Sequence, residues 1–166
     1  MKEKFSHHLS HDWLSQFWRM KRWSERAKKA LSQNVLQEED IDDIYSFFIS
    51  AFSLRDWLRK SEGIHINDLD AQLSANKYWG LCRDVANGLK HFDLTHSSLD
   101  PNFVIWCSKS NNLSQNDKEF WFILADGKLW SMLLIVDSIS QFWTKLLTPY
   151  EINHQIIPLL SRNEKS

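Results

Sequence analysis

Residues 119–131 read E-F-W-F-I-L-A-D-G-K-L-W-S, and the reading of this stretch decides the fold of the chain. Glu119–Leu124 is rich in the aromatic and branched side chains that suit a strand. Asp126-Gly127 is a pair favoured in two-residue hairpin turns, whose central residues need positive φ. Residues 128–131 are then the returning strand. Upstream, N-F-V-I-W-C at 102–107 is a further strand candidate, followed by the polar loop K-S-N-N-L-S-Q-N-D-K. Directly after the hairpin the period lengthens. Ile135, Ile139, Phe142 and Leu146 recur at helical spacing, which predicts a helix over about 131–147 with Pro149 as its stop.

Before residue 93 three segments have the helical period. Trp13, Phe17, Met20, Ala27 and Leu31, widened by Leu14, Trp18 and Trp23, predict a first helix over about 11–31 with Ser10 as N-cap. Glu38, Glu39, Asp40, Asp42 and Asp43 crowd the start of a second helix, predicted over about 40–60, where acidic side chains suit the helix dipole. Its apolar stripe is Ile41, Ile44, Tyr45, Phe48, Ala51, Phe52 and Leu58, with Asp43, Ser46, Ser50 and Ser53 toward solvent. A third helix is expected over about 76–92. Four Gly and three Pro in 166 residues leave few breaks, which favours long helices. The expected fold is mainly α: one domain over 1–166, a bundle of about four long helices. A small antiparallel hairpin or three-stranded sheet is inserted before the last of them, and the tail from Pro158 is expected to fray.

Composition narrows the function classes. Hydrophobic residues make up 43% and charged residues 25%, the profile of a folded chain. The net charge of −1 argues against a dedicated nonspecific DNA binder, though not against a local RNA site. Cys82 and Cys107 stand in no metal or redox spacing and read as small buried hydrophobes in a reducing compartment. The N-terminal M-K-E-K-F-S-H-H lacks an apolar signal region, and the longest apolar run, 132–136, is far short of the roughly 20 residues of a membrane span. A cytoplasmic protein without cofactor is expected. Glycines at 63, 80, 88 and 127 form no phosphate loop, and no serine stands in a nucleophile elbow. His7, His8 and His11 have only Asp12 to complete a metal set, so no metal site is expected.

Three features bear on a site. On the third helix Arg83, Asp84, Asn87, Lys90 and His91 share an arc opposite Tyr78, Leu81, Cys82, Val85, Gly88, Leu89 and Phe92. That is an ordinary wet face or the edge of a cleft. On the second helix Arg55 falls within the apolar stripe, where an unpaired charge costs several kcal/mol. It therefore needs a partner, and Asp84 is the candidate; a structural ion pair or an Arg55 that snorkels outward is the plainer alternative. Arg55, Arg83, Lys90 and His91 together would suit a phosphate. The first helix is basic in its second half (Arg19, Lys21, Arg22, Arg26, Lys28, Lys29), an RNA track or a solvated face. Phe120, Trp121, Phe122 and Trp130 would stack bases or serve as core and cover.

Arg83-Asp84, followed by His91 on a helix of a bundle, resembles the Arg-polar-…-His motif of the HEPN superfamily, with Asn87-Gly88 as a flexible spot between. The spacing here is one residue longer than usual in that family. A-F-S-L-R-D-W-L (51–58) and C-R-D-V-A-N-G-L-K-H-F (82–92) also look similar to a group of short bacterial proteins to which no activity is attached. The HEPN resemblance implies a metal-independent endoribonuclease or RNA-binding module of toxin or defence type, often a homodimer. RNA and a cognate antitoxin or other protein would be its partners. In that chemistry a ribose 2′-OH attacks the adjacent phosphodiester. The resemblance implies catalytic roles for His91 as acid or base and Arg83 on the phosphate. Arg55, Asn87 and Lys90 would be supporting donors, with Asp84 orienting one of them. The alternative is a non-enzymatic interaction module, homodimeric or partner-binding, because Trp57, Trp79 and Trp106 strain the capacity of one small core.

Overall fold

The structure is a computed structural model that describes residues 12–61, 64–88, 99, 102–110 and 118–163. These residues form five helices and one sheet: α1 (Trp13–Leu31), α2 (Glu38–Lys60), α3 (Leu69–Ala75), α4 (Trp79–Gly88), β1 (Val104–Ser110), β2 (Lys118–Ala125), β3 (Lys128–Ser131) and α5 (Met132–Asn163). The mainly helical fold with a small antiparallel sheet before the last long helix is as expected. Among the described residues three helices are long and two are short.

α1 is started by Asp12, not by Ser10, which lies outside the described residues. The Asp12 carboxylate accepts the Ser15 N–H at 2.9 Å, taking up one of the donors a helix start leaves free. α2 begins earlier than expected, at Glu38, because the Gln37 N–H donates to the Asp40 carboxylate at 2.9 Å. α1 and α2 pack as an antiparallel hairpin. The buried Gln16 side chain donates to the Ser50 carbonyl at 3.0 Å, and the Trp13 N–H donates to Ser61 Oγ at 3.2 Å.

Ser50 is therefore buried and not on the solvent side, and Phe47 and Leu54 beside it are fully buried. α2 is covered from two directions. α1 takes the Phe47–Ser50–Leu54 side, while α4 packs elsewhere on the same helix, with Cys82 Sγ 4.0 Å from the Phe48 carbonyl. A wheel with one apolar stripe underestimates the buried arc of a helix with neighbours on both sides.

An aromatic chain joins α4 to the remainder. The Trp79 ring lies 5.8 Å from Phe52 of α2 and 5.9 Å from Trp143 of α5, edge-on at 80° in the second case. Trp143, fully buried, also meets Phe142 at 5.3 Å. Tyr78 meets Trp130 of β3 at 5.9 Å. Edge-to-face pairs of this kind add about 0.5–1.5 kcal/mol each beyond the area they bury.

The sheet is a meander in the order β1-β2-β3, with Trp106 opposite Phe122 and Leu124 opposite Leu129. Asp126 at φ 51° and Gly127 at φ 66° form the expected turn, both in the left-handed region that a primed turn requires.

α5 corrects the expected stop at Pro149: it runs through Pro149 and Pro158 to Asn163. An interior proline loses one helical hydrogen bond and costs about 3 kcal/mol. Packing outweighs that signal here, since Leu147 is fully buried and Tyr150 packs on the core just beyond the proline. Thr148 Oγ1 also donates to the Thr144 carbonyl at 2.7 Å in the same turn.

Trp79→Ala removes the ring that touches both α2 and α5, so unfolding in urea should show a loss of about 3–4 kcal/mol. A loss below about 1 kcal/mol would mean that the aromatic chain does not hold these helices together.

Candidate functional site

Of the residues singled out in the sequence, Arg55 and Asp84 each take a partner other than the other. α4 ends at Gly88, and Lys90 and His91 lie outside the described residues. Arg83 and Asn87 are half-buried, one turn apart on α4. Asp84 is 1% exposed rather than on a wet face, and its carboxylate accepts the Leu99 N–H at 2.7 Å. The chain at 99 comes back over this side of α4 and covers it, which a helical wheel does not register.

Arg55 does have the partner its position demands, but the partner is Asp70 and not Asp84. Arg55 Nε donates to Asp70 Oδ1 at 2.8 Å, and the Arg59 guanidinium binds the other oxygen. The Arg55 hydrogen bond, with the charges of Arg55 and Arg59, holds the Asp70 carboxyl below the usual carboxylate range despite some desolvation. The triad clips α3 to α2. No sequence signal announces α3, because seven residues are too few for a helical period to declare itself. This is a structural ion cluster that occupies the guanidinium expected to reach a phosphate.

The sheet presents the less expected surface. Its inner face carries Glu119, Trp121, Ile123 and Ala125 of β2 against the bundle, with Ile123 and Ala125 buried. The opposite face follows from the register. Val104 and Trp106 of β1 lie beside Leu124 and Phe122 of β2, Leu124 faces Leu129 of β3, and Phe120 stands one pleat further along. Trp106 is 51% exposed, Val104 50% and Leu129 58%, while Phe120 and Leu124 are also exposed. Leu133 at the start of α5, beside Phe120 and Phe122, extends the exposed apolar surface, and Leu134 next to it in the chain is exposed too. Where β3 ends, a notch of about 160 Å³ opens between Phe120, Phe122, Leu133 and Leu31, about the volume of one large side chain. Among the described residues only Lys118, its ammonium 5.3 Å from the Phe120 ring centroid, adds charge at one end of this outer face.

Glu119 sets the position of this sheet on the helices. Its backbone N–H donates to the Asn34 carbonyl at 2.8 Å, and its carboxylate accepts the Leu36 N–H at 3.2 Å and pairs with Lys109 Nζ at 3.2 Å. Lys109 stands directly opposite on β1. Burial acts to raise the Glu119 pKa, but the Leu36 N–H and the Lys109 ammonium outweigh it, so the carboxyl sits below its ordinary value. The loop between α1 and α2 is thereby pinned to β2.

Comparison of the chain with protein-family models, with curated proteins and with solved structures yields no match. Among the described residues no group of three or more His, Cys, Asp or Glu side chains could hold a metal ion, and no helix is long and apolar enough to cross a membrane. Cys82 is fully buried, and burial pushes its thiol pKa far up, so it is no nucleophile; Cys107 is half-buried and raised in the same direction.

The outer face has a signal in the sequence. F-W-F-I-L is apolar at both parities, and a strand apolar on both sides needs cover on both. The bundle covers one.

Glu119→Gln tests the clamp through its pH dependence. A carboxyl whose pKa is lower in the folded state stabilises the fold above its unfolded pKa, and that stability is lost as pH falls through the folded value. The substitution should cost about 1–2 kcal/mol at neutral pH. The difference from wild type should shrink as pH drops below about 4.3, the ordinary glutamate pKa. Urea titrations at neutral pH and at pH near 3 read it directly; equal costs at both would contradict the charged clamp.

Proposed function

We propose that this chain is a non-catalytic interaction protein that pairs with a second copy of itself through the outer face of its sheet. The observation that carries the reading is the exposed apolar face of Val104, Trp106, Phe120, Leu124 and Leu129, extended by Leu133. At ~150–250 Å² for a large aromatic side chain and somewhat less for an aliphatic one, the exposed fractions amount to roughly 600 Å². That is the upper end of what a typical monomer leaves in one patch.

The area supports a second copy as occupant. Two such faces meeting across a two-fold axis bury on the order of 1,200 Å², the lower bound of a standard specific interface. A two-fold contact uses the same patch on both partners, so the patch must be complementary to itself. This one is: apart from Ser108 and Ser131 its described residues are apolar, with the charge of Lys118 at one end. Sheets of this kind pack face to face about 10 Å apart with interleaved side chains, and the notch beside Phe120 would take a side chain from the partner as an anchor.

Sedimentation equilibrium at micromolar concentrations tests the proposal. Wild type should be a dimer, and Trp106→Glu or Leu129→Glu should each weaken it by more than tenfold while leaving circular dichroism unchanged, since both side chains are exposed in one copy. A wild-type monomer, or a dimer indifferent to both substitutions, would overturn it.

The HEPN-like ribonuclease is a second reading, and one observation favours it. Arg83 and Asn87 leave half-buried polar side chains on the last two turns of α4, which leads directly into Lys90 and His91. Cleavage of tRNA in excess EDTA that Arg83→Ala and His91→Ala both abolish would establish it. Intact RNA with wild type would remove it.

A further inference from the structure

The basic half of α1 is the motif that neither the sheet face nor α4 accounts for. α1 carries six cationic side chains against one acid, Glu25. Some have partners: Arg26 lies 3.7 Å from Asp43, and Lys28 lies 2.8 Å from Glu25. What distinguishes this face from an ordinary solvated one is its neighbour. A groove of about 400 Å³ runs between α1 and α5, with Lys21 and Lys28 on one wall and Lys145 on the other. Ser140, Thr144 and Thr148 line it from α5 at steps of four residues, hence on one face of that helix. The groove thus combines three ammonium groups with polar side chains of α5, of which Thr148 donates its hydroxyl back to the Thr144 carbonyl, and the acid that lines it, Glu25, is already paired with Lys28.

An aromatic ring stands beside the groove. Trp18 is exposed, and Lys21 Nζ sits 4.5 Å from its ring centroid. Ammonium groups on both walls and an exposed indole at the margin match the chemistry of single-stranded nucleic acid. Cations track the backbone phosphates, and a ring stacks a base. A lipid surface fits less well, because these lysines border a concave groove rather than a convex apolar edge. An acidic peptide would use the cations but leave the indole without a role. We infer that the α1–α5 groove binds the phosphodiester backbone of single-stranded RNA through Lys21, Lys28 and Lys145, with Trp18 stacking a base. This goes beyond the pairing proposed above and does not depend on it.

Fluorescence anisotropy of a labelled oligouridylate, titrated with the full chain over a salt series, tests the inference. Wild type should bind at low salt, with log K falling against log salt at a slope of about −2, since each phosphate neutralised on a single strand contributes about −0.7. Lys21→Glu/Lys28→Glu/Lys145→Glu should weaken binding at least tenfold, and Trp18→Ala by about tenfold. Lys145→Glu alone, a change at one exposed lysine, should lower both affinity and slope and remains informative if the triple variant unfolds. Arg22→Glu/Lys29→Glu alters charges of α1 outside the groove and should change affinity by no more than about threefold. Absence of binding, equal loss in that control, or equal affinity for a poly-glutamate peptide or phosphatidylserine vesicles would each overturn the assignment.

Discussion

The contact between Trp79 and Trp143 is where α4, packed on α2, meets α5, packed on α1. Trp79 opens α4 and touches Phe52 of α2 on one side and Trp143 of α5 on the other, while its neighbour Tyr78 reaches Trp130 of the sheet. Two consecutive residues therefore join α2, α5 and the hairpin. α1 and α2 form a hairpin of their own through Gln16 and Ser50, α5 packs along α1, and Glu119 pins the sheet to the α1–α2 loop; the aromatic chain adds the link from α4 to α5 and to the sheet. Rings serve this purpose well. Each buries a large area with few rotatable bonds, so ordering it costs little side-chain entropy.

This arrangement has a consequence for the sheet. Its inner face is occupied by the bundle and pinned by Glu119, which binds the α1–α2 loop and pairs with Lys109 across the strands. A three-stranded sheet has two faces, and the residues of the outer one are as apolar as those of the inner. Leaving them in water forgoes roughly 25 cal/mol for each Å² of apolar surface. A second copy would offer the same surface in return, so the proposed pairing draws on the same physics as the core.

Much of the fold is legible in the sequence, and the failures have common causes. The Asp126-Gly127 turn is readable because positive φ at two successive positions restricts residue choice severely. The long helices are readable from their period. A wheel misplaces Asp84 and Ser50 because it assigns one buried side, whereas α4 is covered near Asp84 by the chain at Leu99 and α2 has helices on two sides. Pro149 misleads as a stop because a local breaker competes with tertiary packing on both flanks. At the candidate site, the need of Arg55 for a carboxylate follows from its place in the apolar stripe. Which carboxylate answers it depends on α3, too short to be read. The outer face is visible as a strand apolar at both parities, a pattern more telling than the charged residues of the third helix.

The pairing requires that two outer faces meet. Spin labels at Ser108→Cys, in a chain with Cys107→Ser, would sit on that face beside Phe120, and dipolar coupling between labels reads their separation. Face-to-face sheets about 10 Å apart predict a single, narrow, short distance that Leu129→Glu abolishes. Absence of coupling in a sample that sediments as a dimer would place the contact elsewhere and contradict the pairing of outer faces.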